Sequence, residues 1–417
     1  MTQTLRLTFI LAALSMVGPL AIDTYLPAMP AIRDQFGISE FWIQQSLSGF
    51  LFAFAAMMLI YGTLSDSFGR RRVILVSLVI YILASIGVAL SPNYPTLLVM
   101  RVLQGLAAGA GSVVGRAIVQ DVFSGVQAQK VMSQIMMVFG LAPAIAPVLG
   151  GWMLVFFSWR GVFWFLTLFA TVLTFVVWRA LPESLPVAQR TPLRLGLILG
   201  NYWRVGKNPA FIALSMAVGL SFGGFSLYIG SAAQFVTHIL GLGETSYAWM
   251  FIPMIGGFML GSALSGRYAA HHSTRRLVAF GYTVMIVATA LNVGYNSFFP
   301  AVVPWAVLPL GVYSFGVAFT TPAITLRALE LFPANRGLAS SMLSFGQMMI
   351  FALASGFLAP VLFDSALHLA LGVAGLLVAS MAMWTLAQKI APAPSLAERA
   401  AQDESRGLPG EEAGARL

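Results

Sequence analysis

The chain lacks cysteine entirely and has little charge: of its 417 residues only 9% are charged, and only 14 are acidic. The absence of cysteine excludes disulfides, thiolate metal sites and cysteine nucleophiles. The scarcity of charge excludes an ordinary soluble domain, in which about 25% of residues are charged. Instead, 59% of the residues are hydrophobic and the mean hydropathy is +0.85. These values predict an all-α polytopic membrane protein.

The net charge of +9 has two interpretations. A basic chain can bind nucleic acid, but in a membrane protein an excess of Lys and Arg more simply reflects the charge bias of cytoplasmic loops. We therefore expect the bilayer, and no nucleic acid, as a partner. The four histidines lie in predicted loops or near a span end and form no metal constellation, so we expect neither a metal nor another cofactor.

A membrane span needs about 20 mostly apolar residues, and twelve segments qualify. The first of them is expected to be retained as a span. In the first half they are 7–29, 41–62, 73–91, 95–116, 131–155 and 159–180. In the second half they are 209–231, 247–269, 276–295, 301–323, 338–360 and 366–387.

Charged segments set the expected orientation. One set of loops carries the Arg70–Arg72 run, the polar linker 181–208 and Arg336, whereas the other set carries little beyond Arg33 and Arg160. The positive-inside rule then places both termini in the cytoplasm, in agreement with an even number of spans. The tail 388–417 is rich in Ala, Glu, Pro, Arg and Gly and is predicted to be disordered.

The two halves resemble each other weakly. "IDTYL" in span 1 aligns with "FSLYI" in span 7, which pairs Asp23 with Ser226 and Tyr25 with Tyr228. Two further matches follow in the same order, after spans 2 and 8 and after spans 4 and 10. We therefore predict two pseudo-symmetric six-helix bundles, 1–180 and 209–387. Duplicated bundles of this kind bind substrate at the interface between halves, near the bilayer midplane.

Asp23 is the only acidic residue placed well inside a predicted span. Low dielectric disfavours the charged form of a carboxyl group, so Asp23 is a candidate for proton exchange. The alternative is a structural aspartate that accepts hydrogen bonds from backbone N–H groups near the Gly18-Pro19 pair.

Arg101 lies about six residues inside predicted span 4, where an arginine is costly unless it faces a partner or water. Asp23 and Arg101 are each ~9 Å from the outer ends of their predicted spans, so the two could interact. Snorkelling of Arg101 to the near interface is the alternative.

The loop after span 2, "GTLSDSFGRRR", has a distinctive composition. Gly62 permits close helix packing, Gly69 permits a positive φ, and Asp66 can pair with arginine or cap a helix. The stretch resembles the signature loop of the major facilitator superfamily between helices 2 and 3. Only Ser67 departs, since it stands where a basic residue is usual.

This resemblance implies the major facilitator fold and a latch that holds the two halves together at the cytoplasmic side. The implied latch residues are Gly62, Asp66, Gly69, Arg70, Arg71, Arg72 and, as a partner of the arginines, Asp121. In span 4, "RVLQGLAAG" resembles the second motif of the superfamily, in which Arg101 and Gln104 would line the cavity and assist proton transfer.

Span 5 contains "GLAPAIAPVLGG", with Pro143 and Pro147 on one helix face, followed by Gly150 and Gly151. From the residues alone, a kinked packing helix is the simpler interpretation. The stretch resembles the antiporter motif of the superfamily, although Ala146 replaces a glycine, and this implies a helix that bends and seals against leak. Together with "IDTYLPAMP" it resembles the Bcr/CflA group of twelve-span drug:proton antiporters.

Six side chains are candidate cavity lining, because aromatic rings with a few polar atoms suit varied apolar ligands; they are Tyr25, Gln104, Phe139, Phe222, Tyr228 and Gln347. Taken singly, each is better explained by helix packing than by contact with a ligand.

The resemblance implies a proton-coupled exporter of small apolar antibiotics such as chloramphenicol, bicyclomycin or sulfonamides. It would act by alternating access, as a monomer in the bacterial inner membrane, with protons as the coupling ion. An exporter or importer of an endogenous metabolite with the same fold is the alternative. A membrane enzyme would need a carboxylate pair, a Ser–His arrangement or a metal cluster at membrane depth. A transporter-like receptor is the remaining interpretation, and the intact latch loop argues against it.

Overall fold

The computed structural model describes residues 3–190, 195–243, 245–269 and 272–391. Within them the chain forms twelve long helices and no β-strand. The first six helices are α1 Thr4–Phe36, α2 Glu40–Phe68, α3 Arg70–Ala89, α4 Tyr94–Val122, α5 Gly125–Phe156 and α6 Trp159–Ala180. The last six are α7 Pro209–Gly230, α8 Ala248–Ala269, α9 Thr274–Phe298, α10 Leu308–Glu330, α11 Arg336–Leu362 and α12 Ala366–Ile390.

Across the described ranges, eleven of these helices are long and apolar enough to cross a membrane. The exception is α10, whose middle carries Thr320, Thr321 and Pro322 and is correspondingly less apolar. Helical spans follow from the solvent, because hydrocarbon offers no partner to backbone N–H and C=O groups and a helix satisfies them internally. The predicted all-α membrane fold is confirmed, and the twelve helices are consistent with the predicted twelve spans.

The helix ends follow local rules. The side chains of Asn93 and Asn208 accept hydrogen bonds from the backbone N–H group of the third residue of α4 and of α7, at 3.0 Å in both cases. Gly37 ends α1 at φ 60°, and Gly69 separates α2 from α3 at φ 96°. Both glycines adopt a positive φ that other residues rarely take.

The predicted span boundaries differ most from the helices in spans 1 and 10. Span 1 is predicted to end at Met29, but α1 continues to Phe36 through a 3₁₀ turn at Leu26–Ala28. The prolines of this segment, Pro27 and Pro30, occupy first-turn positions, where a missing N–H costs little. Span 10 is predicted at 301–323, whereas α10 runs over Leu308–Glu330.

Helix packing repeats with an offset of six. α1 packs on α5, α2 on α4, and α3 on α6; correspondingly, α7 packs on α11, α8 on α10, and α9 on α12. Contacts between the two sets are made mainly by α2 with α11 and by α5 with α8. The fold is therefore two pseudo-symmetric six-helix bundles. In the linker a short helix, Leu195–Gly206, joins them, and the Tyr202 hydroxyl donates to the Leu59 carbonyl at 2.6 Å. The predicted tail lies, from residue 392 onward, outside the described residues.

Glycines set the closest helix contacts. A Cβ added at Gly105 of α4 would lie 2.2 Å from the Phe50 carbonyl oxygen of α2, and one at Gly111 would lie 2.3 Å from the Leu14 carbonyl oxygen of α1. Neither separation is sterically possible, so α4 contacts two neighbours backbone to backbone. Close approach through small residues is how membrane helices gain packing energy.

We expect Gly105→Ala to lower the melting temperature of the purified protein, because the added methyl forces α4 away from α2. The matched control is Gly256→Ala in α8, where an added Cβ meets nothing within 4 Å. That substitution should be neutral or stabilising by about 0.5–1 kcal/mol, since alanine favours helix over glycine. Equal effects of the two variants on thermal unfolding in detergent would contradict this account of the packing.

Candidate functional site

Asp23 is the last residue of the first helical segment of α1 and is only 3% exposed. Beyond it the backbone tightens, and the Thr24 hydroxyl donates back to the Leu20 carbonyl at 2.6 Å. Among the described residues, no hydrogen bond or ion pair reaches the Asp23 carboxyl group. The predicted alternative, an aspartate bound to backbone N–H groups, therefore has no counterpart in these contacts. The carboxyl is held by packing alone.

Arg101 is fully buried in α4 and reaches across to α1. Its Nη1 donates to the Ala21 carbonyl at 3.2 Å and to Gln104 Oε1 at 2.6 Å. Its guanidinium carbon lies 4.2 Å from the ring centroid of Tyr25 and 4.5 Å from that of Phe50. Aromatic faces attract a cation, and more strongly where water is excluded. Arg101 therefore packs inside the bundle instead of extending to the surface.

The two buried charges do not pair: within the described part of the chain, no ion pair joins Arg101 to Asp23. The guanidinium contacts the backbone two residues before Asp23 and the ring two residues after it. Two of its nitrogens, Nε and Nη2, are buried without a hydrogen-bond partner. The structure thus places a carboxyl and a guanidinium in one buried region, with unused donors on the guanidinium.

Polar contacts tie this region to neighbouring helices. Gln104 Nε2 donates to Ser85 Oγ of α3 at 2.8 Å. The Tyr25 hydroxyl forms a short hydrogen bond with Ser46 Oγ of α2. The turn that carries Asp23 is therefore connected through Tyr25 to α2, and Arg101 is connected through Gln104 to α3.

The matching place in the second bundle holds no acid. Ser226 donates to the Phe222 carbonyl at 2.9 Å, and the Tyr228 hydroxyl accepts a hydrogen bond from Asn292 Nδ2 at 2.9 Å. Tyr228 and Asn292 line a water-sized cavity of about 10 Å³ inside this bundle. Sequence reasoning missed Asn292, although an asparagine in an apolar span is a visible signal.

The remaining candidate lining residues are dispersed. Phe222 is partly buried and packs with Phe225 and Phe351, with ring centroids 5.2 and 6.3 Å away. Gln347 is partly buried on α11. The side chain of Phe139 lies outside the described part of the structure.

The two-proline stretch of α5 contacts the Asp23 segment directly. The helix runs continuously through Pro143 and Pro147, and Gly150 and Gly151 are buried. A Cβ added at Gly150 would lie 2.4 Å from the Thr24 carbonyl oxygen. The predicted motif on α5 therefore presses against the residue that follows Asp23.

Arg70, at the start of α3, is the centre of a charged cluster. Its guanidinium binds Asp66 in a short ion pair, donates to Ser65 Oγ at 2.7 Å, and reaches Asp121 Oδ2 at 3.1 Å. Arg70 is 7% exposed, so this charge is satisfied almost wholly by protein. We call this end of the bundle, with the α2–α3 turn, the basic end, and the opposite end, with Gly37, the far end.

Sequence reasoning missed Glu183, which follows α6. Its carboxylate accepts hydrogen bonds from the backbone N–H groups of Arg70 at 2.9 Å and Arg71 at 3.3 Å, and so caps the start of α3. An acidic side chain is favoured at a helix N-terminus. Glu183 lies far from Arg70 in the sequence, so sequence patterns alone did not predict this contact. Of the other predicted latch residues, Arg72 is exposed. Gly62 is not at a close helix contact, since an added Cβ there meets nothing within 4 Å.

At the far end, α2 forms polar contacts with the second bundle. Gln44 Nε2 donates to the Gly230 carbonyl at 2.8 Å and to Ser355 Oγ at 2.7 Å. Gln45 Nε2 donates to the Gly356 carbonyl at 2.8 Å. We call these three hydrogen bonds the far-end contact. One of them meets the last residue of α7, and the other two meet α11 where it forms a π-helical turn, Ala354–Leu358, a feature that often marks functional positions.

At the basic end the bundles are separated by a cavity of about 580 Å³. It lies between α2, α4, α11 and the linker helix, with Asp66, Arg116, Tyr202 and Ser344 among its lining. The molecule is therefore closed between bundles at the far end and open between them at the basic end.

Comparison with known proteins supports these observations. The family model for the Major Facilitator Superfamily matches residues 11–348. A bicyclomycin resistance protein homolog from Haemophilus influenzae is 27% identical, covering 85% of this chain and 89% of that protein. Multidrug resistance protein D from Escherichia coli K12 is 27% identical, covering 82% of this chain and 85% of that protein. The resemblance to the Bcr/CflA group is confirmed.

The fold also matches a solved structure. The xylose transporter XylE from E. coli, in a partially occluded inward-open conformation, superposes with a TM-score of 0.69 at 13% identity. The match covers 92% of this chain and 98% of that one. Fold and family are those of a transporter and not of an enzyme.

The far-end contact predicts the effect of Gln44→Leu, which removes two hydrogen bonds between the bundles. Because the chain has no cysteine, one introduced by Ser231→Cys, at a buried far-end position, is a unique reporter of opening. We expect maleimide labelling at this site to rise about fivefold, since ~1 kcal/mol shifts an equilibrium by that factor. The control is Gln127→Leu, which alters an exposed glutamine near Thr4. Equal labelling in the two variants would argue against a role of Gln44 in closure.

Proposed function

We propose that this chain, which belongs to the Major Facilitator Superfamily, is a proton-coupled multidrug exporter of the bacterial inner membrane. The observation that carries the proposal is the buried Asp23 carboxyl group, which has no counter-ion among the described residues and stands in the chain between Ala21 and Tyr25, both of which contact the fully buried Arg101. The names of the relatives, bicyclomycin resistance and multidrug resistance, support drugs as the cargo.

The basic end faces the cytoplasm in this proposal, with both termini on that side. Support comes from the arginines gathered there, because Lys and Arg favour cytoplasmic loops. The far-end contact then closes the outward side, and the cavity of about 580 Å³ opens to the cytoplasm. The arrangement is that of an inward-open transporter awaiting cargo.

Exchange requires that proton and drug favour opposite states of the two bundles, 1–180 and 209–387. Facing outward, Asp23 takes a proton and the drug leaves; facing inward, Asp23 releases the proton and the drug binds. The two ligands need not touch the same atom, since coupling is a free-energy difference between states.

A contact path supports communication between proton site and outer closure. Asp23 lies two residues before Tyr25, whose hydroxyl binds Ser46 of α2. Ser46 is directly preceded on α2 by Gln44 and Gln45, which donate hydrogen bonds to the second bundle. A change of charge at Asp23 thus acts on the segment that closes the far end.

The charged cluster at the basic end acts in the opposite state. Arg70 holds Asp66 and Asp121 on α2 and α4, so the three helices move as one body. When the cytoplasmic side closes, this body meets the start of α11 across the cavity, as the resemblance to the superfamily latch implies. The transporter works as a monomer and needs no cofactor besides the coupling proton.

We expect Asp23→Asn to abolish chloramphenicol transport driven by an imposed pH gradient in proteoliposomes, because the amide cannot exchange a proton. Exchange of internal for external chloramphenicol without a gradient should persist, since the cavity is unchanged. Asp364→Asn, an exposed aspartate between α11 and α12, is the matched control and should transport like the parent. Gradient-driven transport by Asp23→Asn at the parental rate would refute the proposal.

A further inference from the structure

We propose that the cavity at the basic end binds the anionic group of an amphipathic weak acid, and that such compounds are among the transported cargo. The inference rests on the proposed function and extends it from neutral apolar drugs to organic anions. It is carried by the charge and chemistry of the cavity lining, which the coupling mechanism through Asp23 does not use.

The cavity carries an excess of positive charge. Three guanidinium groups line it, from Arg70, Arg116 and Arg336, against a single carboxylate, Asp66. That carboxylate is already paired with Arg70, which also reaches Asp121 outside the lining. The remaining two arginines therefore line the cavity without an acidic lining residue to neutralise them.

Arg116 is the more informative of the two. It is partly buried on α4, six residues before the helix ends at Val122. Among the described residues it has no hydrogen-bond or ion-pair partner. A charged side chain inside a span is costly and tends to face a water-filled cavity or a ligand. Snorkelling explains its reach toward the cavity but not the absence of an acid opposite it.

The start of α11 adds further anion-binding groups. Arg336, Gly337 and Leu338 form its first turn and line the cavity, and the preceding Asn335 makes no side-chain cap to this helix. Free backbone N–H groups at a helix N-terminus attract anions. Hydroxyl groups follow one turn later, at Ser340, Ser341 and Ser344. Donors from both bundles thus converge on one space.

The rest of the lining describes the body of the ligand. Met58, Leu59, Val113 and Leu329 give the cavity an apolar wall. A volume of about 580 Å³ falls in the range that holds drug-sized molecules. The matching ligand therefore has an apolar body of one or two rings and a single carboxylate or sulfonate. The charged group would bridge Arg116 of the first bundle and Arg336 of the second.

The test compares two probes that differ in charge, naphthalene-2-sulfonate and the neutral naphthalene-2-sulfonamide. Binding to the purified full-length protein in phosphatidylcholine nanodiscs is measured by isothermal titration calorimetry. We expect the sulfonate to bind about tenfold more tightly or better, because hydrogen bonds to charged groups are the stronger ones. Arg116→Gln and Arg336→Gln should each remove most of this preference and leave sulfonamide binding unchanged, whereas Arg116→Lys should retain part of it.

Arg275→Gln is the charge-matched control, since Arg275 is exposed at the same end and does not line the cavity. Equal affinity of the parent for the two probes would overturn the proposal, as would equal losses in Arg275→Gln and both cavity variants. Because Arg336 is exposed at a helix start, its variant tests the proposal even if Arg116→Gln fails to fold.

A lipid headgroup could supply the same anionic chemistry. If phosphatidylglycerol in the nanodisc abolishes sulfonate binding, the site belongs to a lipid and the assignment to cargo is wrong. Gradient-driven chloramphenicol transport, measured in parallel, separates this proposal from the proposed function. If the parent transports chloramphenicol but binds the two probes equally, only the proposed anion site is wrong. If the parent does not transport chloramphenicol, the proposed exporter function is wrong.

Discussion

The structure depends on two buried ionisable side chains, Asp23 and Arg101, that do not form an ion pair with each other. The Arg101 guanidinium donates hydrogen bonds to the Ala21 carbonyl and to Gln104, and it contacts the ring faces of Tyr25 and Phe50. Among the described residues, the Asp23 carboxyl group has packing contacts but no hydrogen bond. A direct ion pair would hold the carboxylate charged and make protonation costly. Without it, the protonation of Asp23 changes the charge of the region while Arg101 keeps its partners. This freedom is what a proton-coupled transporter requires of its proton site.

The helices around this region are held by backbone contacts that tolerate no side chain. Gly105 and Gly111 bring α4 against α2 and α1, and Gly150 brings α5 against the backbone of Thr24. The Asp23 turn is therefore fixed on several sides within one bundle. A rigid bundle can transmit a local change of charge to its ends. The far end carries the hydrogen bonds from Gln44 to the second bundle, and the basic end carries the open cavity.

Much of the fold follows from the sequence, because a long apolar segment in a bilayer must form a helix for its backbone N–H and C=O groups to be hydrogen-bonded. The loop from Gly62 to Arg72 also predicts its own cluster, since Asp66 and Arg70 are only four residues apart, on either side of the turn at Gly69. Contacts between residues distant in sequence are not visible in this way. No pattern in the neighbouring sequence predicts that Glu183 caps the start of α3 or that Gln44 donates a hydrogen bond to the Gly230 carbonyl. Similar depth predicts that Asp23 and Arg101 could interact, but depth does not specify rotation, and Arg101 turns toward backbone and rings.

In the proposed mechanism, Asp23 exchanges a proton in step with drug binding. The direct measurement is the proton count when chloramphenicol is added to the purified protein in weakly buffered solution, followed with a pH indicator. We expect the parent protein, with Asp23 protonated at the start, to release protons in proportion to the drug bound, and Asp23→Asn to bind drug and release none. Equal proton release by the two proteins at equal drug occupancy would contradict it.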